Sequence, residues 1–456
     1  MSSYARSESL PPIDSIILAT RLTEAISAHP ATDSTIQRVQ IEMDPGDILA
    51  WVNRQAAEEK FYWSNRDGSF EVAGLGHALL LRNETPDEKD IPKVLDACRA
   101  VLSEVNPHQR FYGGFSFDKS TEEKWAAFGQ YRLVMPQIEV GRDSDAYYAA
   151  CQWSTETGPP ADMQTLLKTD EQNGSRRIAR AAQRRVDRPE KYTWMAQIEH
   201  LLSLFSQGVV DKVVMARECE FQFDEAIDAM ALLSELRRNT GNSYHYGFQV
   251  SADTAFIGAS PERLYRRDGS TLVSEALAGT RPRGITREQD AAIGQELLNS
   301  DKDRREHGLV LERITSLLEE FCESMNPTME PTITKLRHCQ HLLCTIEGTL
   351  RNPDCDAELL QQLHPTPAVG GSPREEALRW ISNLESFDRG WYAGPIGWIS
   401  HDSVEFAVAI RSALVHGNSV SAYTGAGIVP GSNPEEEWAE IENKITDFQN
   451  LFPLDE

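Results

Sequence analysis

The chain has 456 residues, of which 40% are hydrophobic and 25% charged, a composition typical of a globular protein with one large domain or a few smaller ones. It carries 45 basic and 70 acidic residues, and the net charge of −25 argues against nucleic acid and anionic membranes as partners. An anionic substrate would therefore need local cations or a metal ion. The seven cysteines include no Cys-x-x-Cys pair, no apolar run is long enough to span a membrane, and no signal peptide is evident, so we expect a cytoplasmic protein with reduced thiols.

Residues 1–153 form a variable-looking N-terminal part with few chemical signals. Apolar spacing predicts a helix over 16–26, and alternating runs predict strands at 61–63, 70–75 and 111–117. Residues 154–189 are predicted to be a polar connector with some helix. Its basic run consists of Arg176, Arg177, Arg180, Arg184 and Arg185, and is either a solvated face or a basic recognition site.

Residues 190–452 have clearer periodicity. The pattern predicts a helix at 192–205, strands at 209–223, 244–250, 254–258 and 271–274, and one long helix from 287 to about 322. Strands follow at 394–400, 406–415 and 420–428, and a last helix runs from 434 to about 451. Strand pairs separated by helices, without strict alternation, predict an α+β fold with antiparallel sheets, and we treat residues 1–456 as one domain.

Two isolated charged residues could carry chemistry. Lys212 lies inside an apolar strand, where alternation places it on the same face as Val214 and Ala216. If that face is enclosed, burial favours the neutral amine and Lys212 can act as a base; otherwise it is a lysine that protects a sheet edge. Glu262 follows Pro261 at a strand end and either faces a cleft or forms a surface ion pair with Arg263.

Small residues and paired acids mark further candidate positions. Ala278 and Gly279, followed by Thr280, would let the backbone approach a carboxylate, unless the segment is a plain turn. Asp303 and Glu306 share one helix face beside a core stripe, and need either a magnesium ion or a neighbouring arginine.

The C-terminal segment combines a glycine-rich stretch with an acidic helix. The stretch 424–431 does not fit Gly-x-Gly-x-x-Gly, which argues against a dinucleotide site, but a backbone anion cradle is compatible with it. Asn433 is predicted to cap the helix that begins at Pro434. Glu437, Glu440 and Lys444 then share one face, either as an exposed ion-pair ladder or as part of a site.

The order and spacing of these segments resemble the chorismate-binding enzymes, a family that includes isochorismate, salicylate, anthranilate and aminodeoxychorismate synthases. The motifs are Val-x-Lys-Val-Val at 210–214, Ser-Pro-Glu-Arg-Leu at 260–264, Glu-Ala-Leu-Ala-Gly-Thr at 275–280, Lys-Asp-x-x-Glu-His at 302–307, His-Pro-Thr-Pro-Ala at 364–368 and Gly-Ala-Gly-Ile-Val-x-Gly-Ser-x-Pro-x-x-Glu-Trp-x-Glu at 425–440. The resemblance makes 190–452 the chorismate-binding catalytic core. It implies one α+β domain whose two large, roughly orthogonal antiparallel sheets, flanked by helices, enclose the active site.

The resemblance also implies roles for particular residues. Lys212 would activate water for attack on carbon 2 of chorismate, and Glu262 would protonate the leaving hydroxyl at carbon 4. Glu306 and Glu440 would hold Mg²⁺, with Asp303 and Glu437 nearby, directly or through water. The implied substrate-binding residues are Ala278, Gly279, Thr280, His341, Ala368, Tyr392, Arg411, Gly425, Ala426, Gly427 and Lys444.

Single positions indicate which member of the family the chain resembles. Lys212 favours water as the nucleophile, because anthranilate synthases carry Gln there, and no obligatory glutaminase partner is expected. Ala278 replaces the Lys of aminodeoxychorismate synthases, and Ala368 replaces the Thr that salicylate synthases tend to have. The chain most resembles menaquinone-type isochorismate synthases, isomerases that would act here as a monomer or weak homodimer in menaquinone or siderophore and salicylate biosynthesis. A salicylate synthase that also eliminates pyruvate, and a non-catalytic chorismate-binding subunit, remain as alternatives.

Overall fold

The computed structural model describes residues 10–452, except for 31, 33, 84–89, 119–121 and 171–180. The described residues form eleven α-helices: α1 Ser15–Ala28, α2 Ile48–Asn53, α3 Ile91–Val101, α4 Met163–Leu166, α5 Lys191–Ser206, α6 Ala229–Asn239, α7 Arg287–Asn299, α8 Asp301–Phe321, α9 Asp356–Leu363, α10 Arg374–Leu384 and α11 Pro434–Gln449. They also form 22 strands: β1 Ile36–Glu42, β2 Lys60–Ser64, β3 Phe70–Leu75, β4 Leu79–Arg82, β5 Phe111–Phe115, β6 Tyr131–Met135, β7 Ile138–Asp143, β8 Ala146–Ser154, β9 Arg184–Arg188, β10 Lys212–Gln222, β11 Tyr244–Ser251, β12 Thr254–Ser260, β13 Arg263–Asp268, β14 Thr271–Pro282, β15 Cys322–Pro327, β16 Thr332–Lys335, β17 Cys339–Leu350, β18 Gly371–Ser372, β19 Pro395–Ile399, β20 Ser403–Val408, β21 Ser412–His416 and β22 Ser419–Ile428.

The strands belong to two large antiparallel sheets, which confirms the predicted α+β class. The first sheet has the order β1-β8-β7-β3-β2-β11-β12-β21-β22-β10-β18, with β9 also paired to β10. The second has the order β15-β17-β14-β13-β20-β19-β5-β6-β4, with β16 paired to β17. Strands from the N-terminal 153 residues continue both sheets, since β2 pairs with β11 and β5 pairs with β19. The N-terminal part is therefore built into the same sheets as the motif-bearing part.

Aromatic side chains pack between the two sheets. Phe61 of the first sheet stacks on Tyr112 of the second with ring centroids 4.6 Å apart, and Phe70 meets Trp398 at 5.7 Å. A second core lies where α1, α2 and α6 pack on the first sheet, with Leu22 among its buried residues. No helix in the described part of the chain combines the length and apolarity needed to cross a membrane.

The predicted long helix over 287–322 is wrong, because the chain forms α7 and α8 with a break at Ser300. Ser300 has an extended backbone (φ −73°, ψ 113°), ends α7 and caps α8. Its hydroxyl accepts a hydrogen bond from the backbone N–H of Asp303. A serine three residues before an acidic residue is an ordinary helix start, and here it decides the boundary.

The predicted single strand over 406–415 is also wrong, because it divides into β20 and β21. The division lies at Arg411, whose φ of 52° is in the left-handed region that non-glycine residues rarely occupy. The connector prediction holds only in part: Arg184 and Arg185 lie in β9, which pairs with β10. The other three arginines of the predicted basic run lie outside the described residues.

Candidate active site

A pocket with about 700 Å³ of empty volume, part of it open to solvent, lies where the two sheets face each other. Its walls come from β10 and β22 of the first sheet, β14 and β17 of the second, helices α8 and α11, and loop residues that include the segment directly after β12. The lining includes many of the site residues predicted from the sequence, namely Glu262, Ala278, Gly279, Thr280, Glu306, His341, Ala368, Tyr392, Arg411, Gly425, Gly427, Glu440 and Lys444. Thirteen of the 17 predicted site residues thus line one pocket, and Lys212, Asp303, Ala426 and Glu437 do not.

Lys212 lies directly behind the wall of the pocket. It is fully buried on β10, which has partners on both sides, so the alternative of a lysine at a sheet edge is wrong. Its Nζ donates to Glu306 Oε1 at 2.9 Å.

The glycine-rich stretch is a strand that leaves room for this pair. A Cβ on Gly427 would lie 2.6 Å from Glu306 Oε1 and 2.8 Å from Lys212 Cε, and one on Gly425 would lie 3.0 Å from the Tyr392 hydroxyl. A side chain at Gly427 would therefore require the ends of the Glu306 and Lys212 side chains to move. The side chain of Ala426, between the two glycines, faces the core and is fully buried, as strand alternation requires, so only its backbone could contact a ligand.

Glu262 follows β12 and is 4% exposed. Its backbone is fixed by a bond from its N–H to the Ser260 hydroxyl (3.2 Å) and by one from the Val408 N–H to its carbonyl (3.0 Å). Burial, with a smaller contribution from Glu275, raises the pKa of Glu262 to about 8, although Lys212 and Lys444 oppose the shift. The carboxyl group is therefore protonated at neutral pH. Arg263 pairs with Glu275 and Glu405, so the surface Glu–Arg pair is not formed.

Glu440 and Lys444 face the pocket from α11, which begins at the predicted Asn433 cap. Lys444 Nζ donates to the Gly425 carbonyl (2.9 Å) and lies 2.7 Å from Glu440 Oε1. Burial pushes the pKa of Glu440 up, but Lys444 outweighs it and holds the pKa below its ordinary value. The predicted alternative of an exposed ladder does not describe this helix face.

The other two predicted acids have basic partners outside the pocket. Arg281 donates to both carboxylate oxygens of Asp303, at 2.7 and 3.2 Å. Lys302 Nζ lies 2.8 Å from Glu437 Oε1, and Glu437 is 1% exposed. Of the two alternatives for Asp303, magnesium or an arginine, the structure shows an arginine. The partner is Arg281 of β14 and not an arginine of α8.

The pocket is also lined by cationic and polar groups. Arg411 is 7% exposed, and its left-handed backbone sets it between β20 and β21. Its Nη1 donates to Asp447 Oδ2 (2.9 Å) and to the Lys444 carbonyl (3.1 Å). His341 Nδ1 lies 3.1 Å from both the Gly279 carbonyl oxygen and Thr280 Oγ1. Arg411 and Lys444 give the pocket the local cations that an acidic chain needs for an anionic ligand, and His341 adds a hydrogen-bonding group.

Sequence reasoning missed the apolar walls. The additional lining residues are Val214, Pro261, Leu277, Val369, Ile410, Tyr423 and Thr424. Most are neighbours of predicted residues, but a buried apolar side chain beside a motif cannot be distinguished from core by pattern alone. Tyr423 also stacks on Tyr392 with ring centroids 5.3 Å apart, which fixes the orientation of Tyr392.

Glu306 and Glu440 fit a magnesium site that a substrate completes. Both are pocket-lining carboxylates with the hard oxygen atoms that Mg²⁺ prefers, and Mg²⁺ commonly binds one or two carboxylates while water and substrate supply the rest. No group of three or more His, Cys, Asp or Glu side chains is arranged to hold a metal in the described ranges. Oxygen atoms of water and of a bound substrate would therefore have to complete the coordination of such a site.

Comparison with known proteins identifies the family. Residues 21–452 match the chorismate binding enzymes. The chain is 32% identical to isochorismate synthase MenF of Bacillus subtilis over 431 residues, covering 89% of this chain and 90% of that protein. It is 33% identical over 458 residues to a salicylate biosynthesis isochorismate synthase of Pseudomonas aeruginosa, covering 96% and 95%. The structure of MenF, the menaquinone-specific isochorismate synthase from Escherichia coli, matches with a TM-score of 0.85 at 31% identity, over 96% of this chain and 100% of that one. The predicted resemblance is confirmed: the chain belongs to the chorismate binding enzyme family.

Proposed function

We propose that the protein is an isochorismate synthase that converts chorismate to isochorismate with Mg²⁺. The observation that carries the proposal is a pocket lined by a carboxyl group with a pKa of about 8, with a buried lysine directly behind its wall in contact with the lining residue Glu306. This exchange of hydroxyl groups requires a base that takes a proton from water and an acid that protonates the leaving hydroxyl. The names of the relatives support the same reaction.

The chemistry assigned to the residues is as follows. Lys212 accepts a proton from water as the water oxygen bonds to carbon 2 of the ring. The ring double bonds shift, the bond from carbon 4 to its hydroxyl breaks, and Glu262 donates its proton so that water leaves. Lys212 must be in its neutral form to accept this proton, because an ammonium group has only hydrogen-bond donors and no lone pair.

The remaining pocket residues bind and orient the substrate. Glu306 and Glu440 would hold Mg²⁺, which when bound supplies positive charge for the ring carboxylate. Arg411, Lys444 and His341 provide cationic and hydrogen-bonding groups for the enolpyruvyl carboxylate at the other end. We assign no metal role to Asp303 or Glu437, since each has a basic partner outside the pocket.

The similarity to relatives also suggests the biosynthetic pathway in which the protein acts. The fold match to the Escherichia coli enzyme supports menaquinone biosynthesis, and the equally similar Pseudomonas aeruginosa relative supports salicylate biosynthesis as the alternative. Seven free cysteines support a cytoplasmic location. Because water is the nucleophile, the chain should act without a glutaminase subunit. A monomer or weak homodimer is expected by analytical ultracentrifugation.

The test is product analysis with the purified chain, chorismate and Mg²⁺, resolved by chromatography with and without EDTA. Isochorismate that disappears with EDTA is the expected result. Salicylate with pyruvate would replace the proposal by a salicylate synthase. No conversion would refute the catalytic proposal for the chain alone.

A further inference from the structure

Cys339 lies in the wall between the pocket and a second, more open cavity. This cavity, which we call the vestibule, has about 1170 Å³ of empty volume and is lined by Thr280, Arg281, Pro282, Lys302, His338, Cys339, Arg411, Glu436, Glu437, Ala439, Glu440, Asn443, Lys444 and Thr446. Thr280, Arg411, Glu440 and Lys444 also line the pocket, so the two cavities adjoin. Cys339 begins β17, is 8% exposed and is one of the residues that line the vestibule.

The sulfur of Cys339 faces the ring of His341, two residues along the same strand. Cys339 Sγ lies 3.3 Å from His341 Nε2. On the other side of the ring, Nδ1 lies 3.1 Å from the Gly279 carbonyl oxygen, which can only accept a hydrogen bond. Nδ1 therefore carries the ring hydrogen, and Nε2 of the neutral ring is free to accept the thiol proton. A histidine oriented in this way beside a thiol is the arrangement that activates a cysteine nucleophile.

Arg411 adds a second positive group to the same sulfur. Its Nη2 donates to Cys339 Sγ at 3.3 Å, while its Nη1 is held by Asp447. Burial alone would raise the pKa of the Cys339 thiol, but His341 and Arg411 outweigh burial and bring it to about 6. Asp447, on α11, opposes them. The vestibule wall carries further charged or titratable groups, namely Arg281, Lys302, His338, Glu436, Glu437, Glu440 and Lys444. Of these, His338 has its Nε2 4.0 Å from Asp447 Oδ1.

We propose that Cys339 and His341 form a thiolate–imidazolium pair, and that Cys339 is a covalent modification site for small electrophiles entering through the vestibule. The role does not depend on the proposed function. With iodoacetamide, the Cys339 sulfur forms a bond to the methylene carbon, the carbon–iodine bond breaks, and iodide leaves with the electron pair. The proton that left the thiol stays on His341 until it passes to solvent.

Cys355 provides a matched control in the same molecule. It is also 8% exposed, but burial and the neighbouring Asp356 raise the pKa of its thiol to about 11. At pH 7 the ionised fractions of the two thiols differ by about 10⁴, and the lower intrinsic reactivity of a less basic thiolate reduces this advantage to about 50-fold. Cys339 should therefore be labelled about 50 times faster than Cys355.

The experiment measures iodoacetamide labelling of each cysteine in the folded full-length protein by peptide mass spectrometry between pH 5 and 9. The labelling rate of Cys339 should rise through about pH 6 and be constant above pH 7. In the His341→Gln variant the rate at pH 7 should fall at least about tenfold, and the rise should move to higher pH. The unfolding midpoint in urea checks that the variant is folded, and labelling in urea checks that all peptides are detected.

Two outcomes would overturn the proposal. One is a Cys339 rate no greater than that of Cys355 in the wild-type protein, which needs no variant to fold. The other is an unchanged pH profile in folded His341→Gln. Because the readout is the mass of a peptide, neither outcome depends on whether the protein makes isochorismate.

Discussion

Replacing Glu262 by glutamine should remove a pH-dependent part of the protein's stability. The folded protein holds a proton on this carboxyl group up to about pH 8, whereas the unfolded chain releases it near the ordinary pKa of 4.5. A group whose pKa is raised on folding contributes stability that is fully present below pH 4.5 and is lost as the pH rises through 8. Glutamine has a similar shape and no proton to lose, so the variant lacks this dependence.

The magnitude follows from the shift. The wild-type free energy of unfolding should fall relative to that of Glu262→Gln by about 1.4 kcal/mol per pH unit between pH 5 and 8. Over the whole shift of about 3.5 pKa units the difference reaches about 5 kcal/mol, an upper limit because relaxation around the ionised carboxylate recovers part of it.

The assay is urea unfolding followed by tryptophan fluorescence at pH 5, 6, 7, 8 and 9. Glu312→Gln, an exposed position on α8, controls for the loss of one negative charge. A difference between Glu262→Gln and wild type that stays constant from pH 5 to 8 would refute the reasoning, as would a variant that becomes relatively less stable with rising pH.

Three further predictions concern turnover. Lys212→Ala should lower isochorismate formation at least about 100-fold with unchanged circular dichroism, because a general base is lost; near-normal turnover would remove the base assignment. Glu440→Gln should need at least about tenfold more Mg²⁺ for half-maximal turnover, whereas Asp303→Asn should keep the wild-type requirement; equal Mg²⁺ titrations would contradict the ligand choice. Gly427→Ala should lower turnover at least about tenfold, since its Cβ would lie 2.6 Å from a carboxylate oxygen, while Gly308→Ala, with open space around it, should not; matching rates would contradict the packing argument.

The sequence grouped residues that the structure brings to one pocket, but it misplaced two element boundaries. Glu262 and Glu306 line that pocket, and each belongs to a short motif that can be read locally. The breaks at Ser300 and Arg411 were missed because an amphipathic period and an apolar run continue across both positions. Arg411 has a left-handed backbone and its side chain donates to the Lys444 carbonyl of α11, a long-range contact that no local pattern contains.

Long-range partners account for the remaining differences. Nothing near Asp303 in the sequence indicates that Arg281, 22 residues away, donates to it. In the same way, the pairing of Phe61 with Phe248 across β2 and β11 unites the first and second halves of the chain in one sheet. Motif spacing carries no information about such contacts, so the four residues outside the pocket could not be separated from the other thirteen.

The position of β22 sets the order in which the molecule can be completed during synthesis. This last strand lies between β21 and β10, so the first sheet is in two pieces until residue 428 has been made. Ribosomes add about 5–20 residues per second, and β10 therefore waits about 10–40 s for its partner β22, with one strand edge unpaired. The strand of Lys212 joins the glycines that shape its pocket only after this interval. An unpaired edge can pair with another chain, so the interval exposes the nascent chain to aggregation.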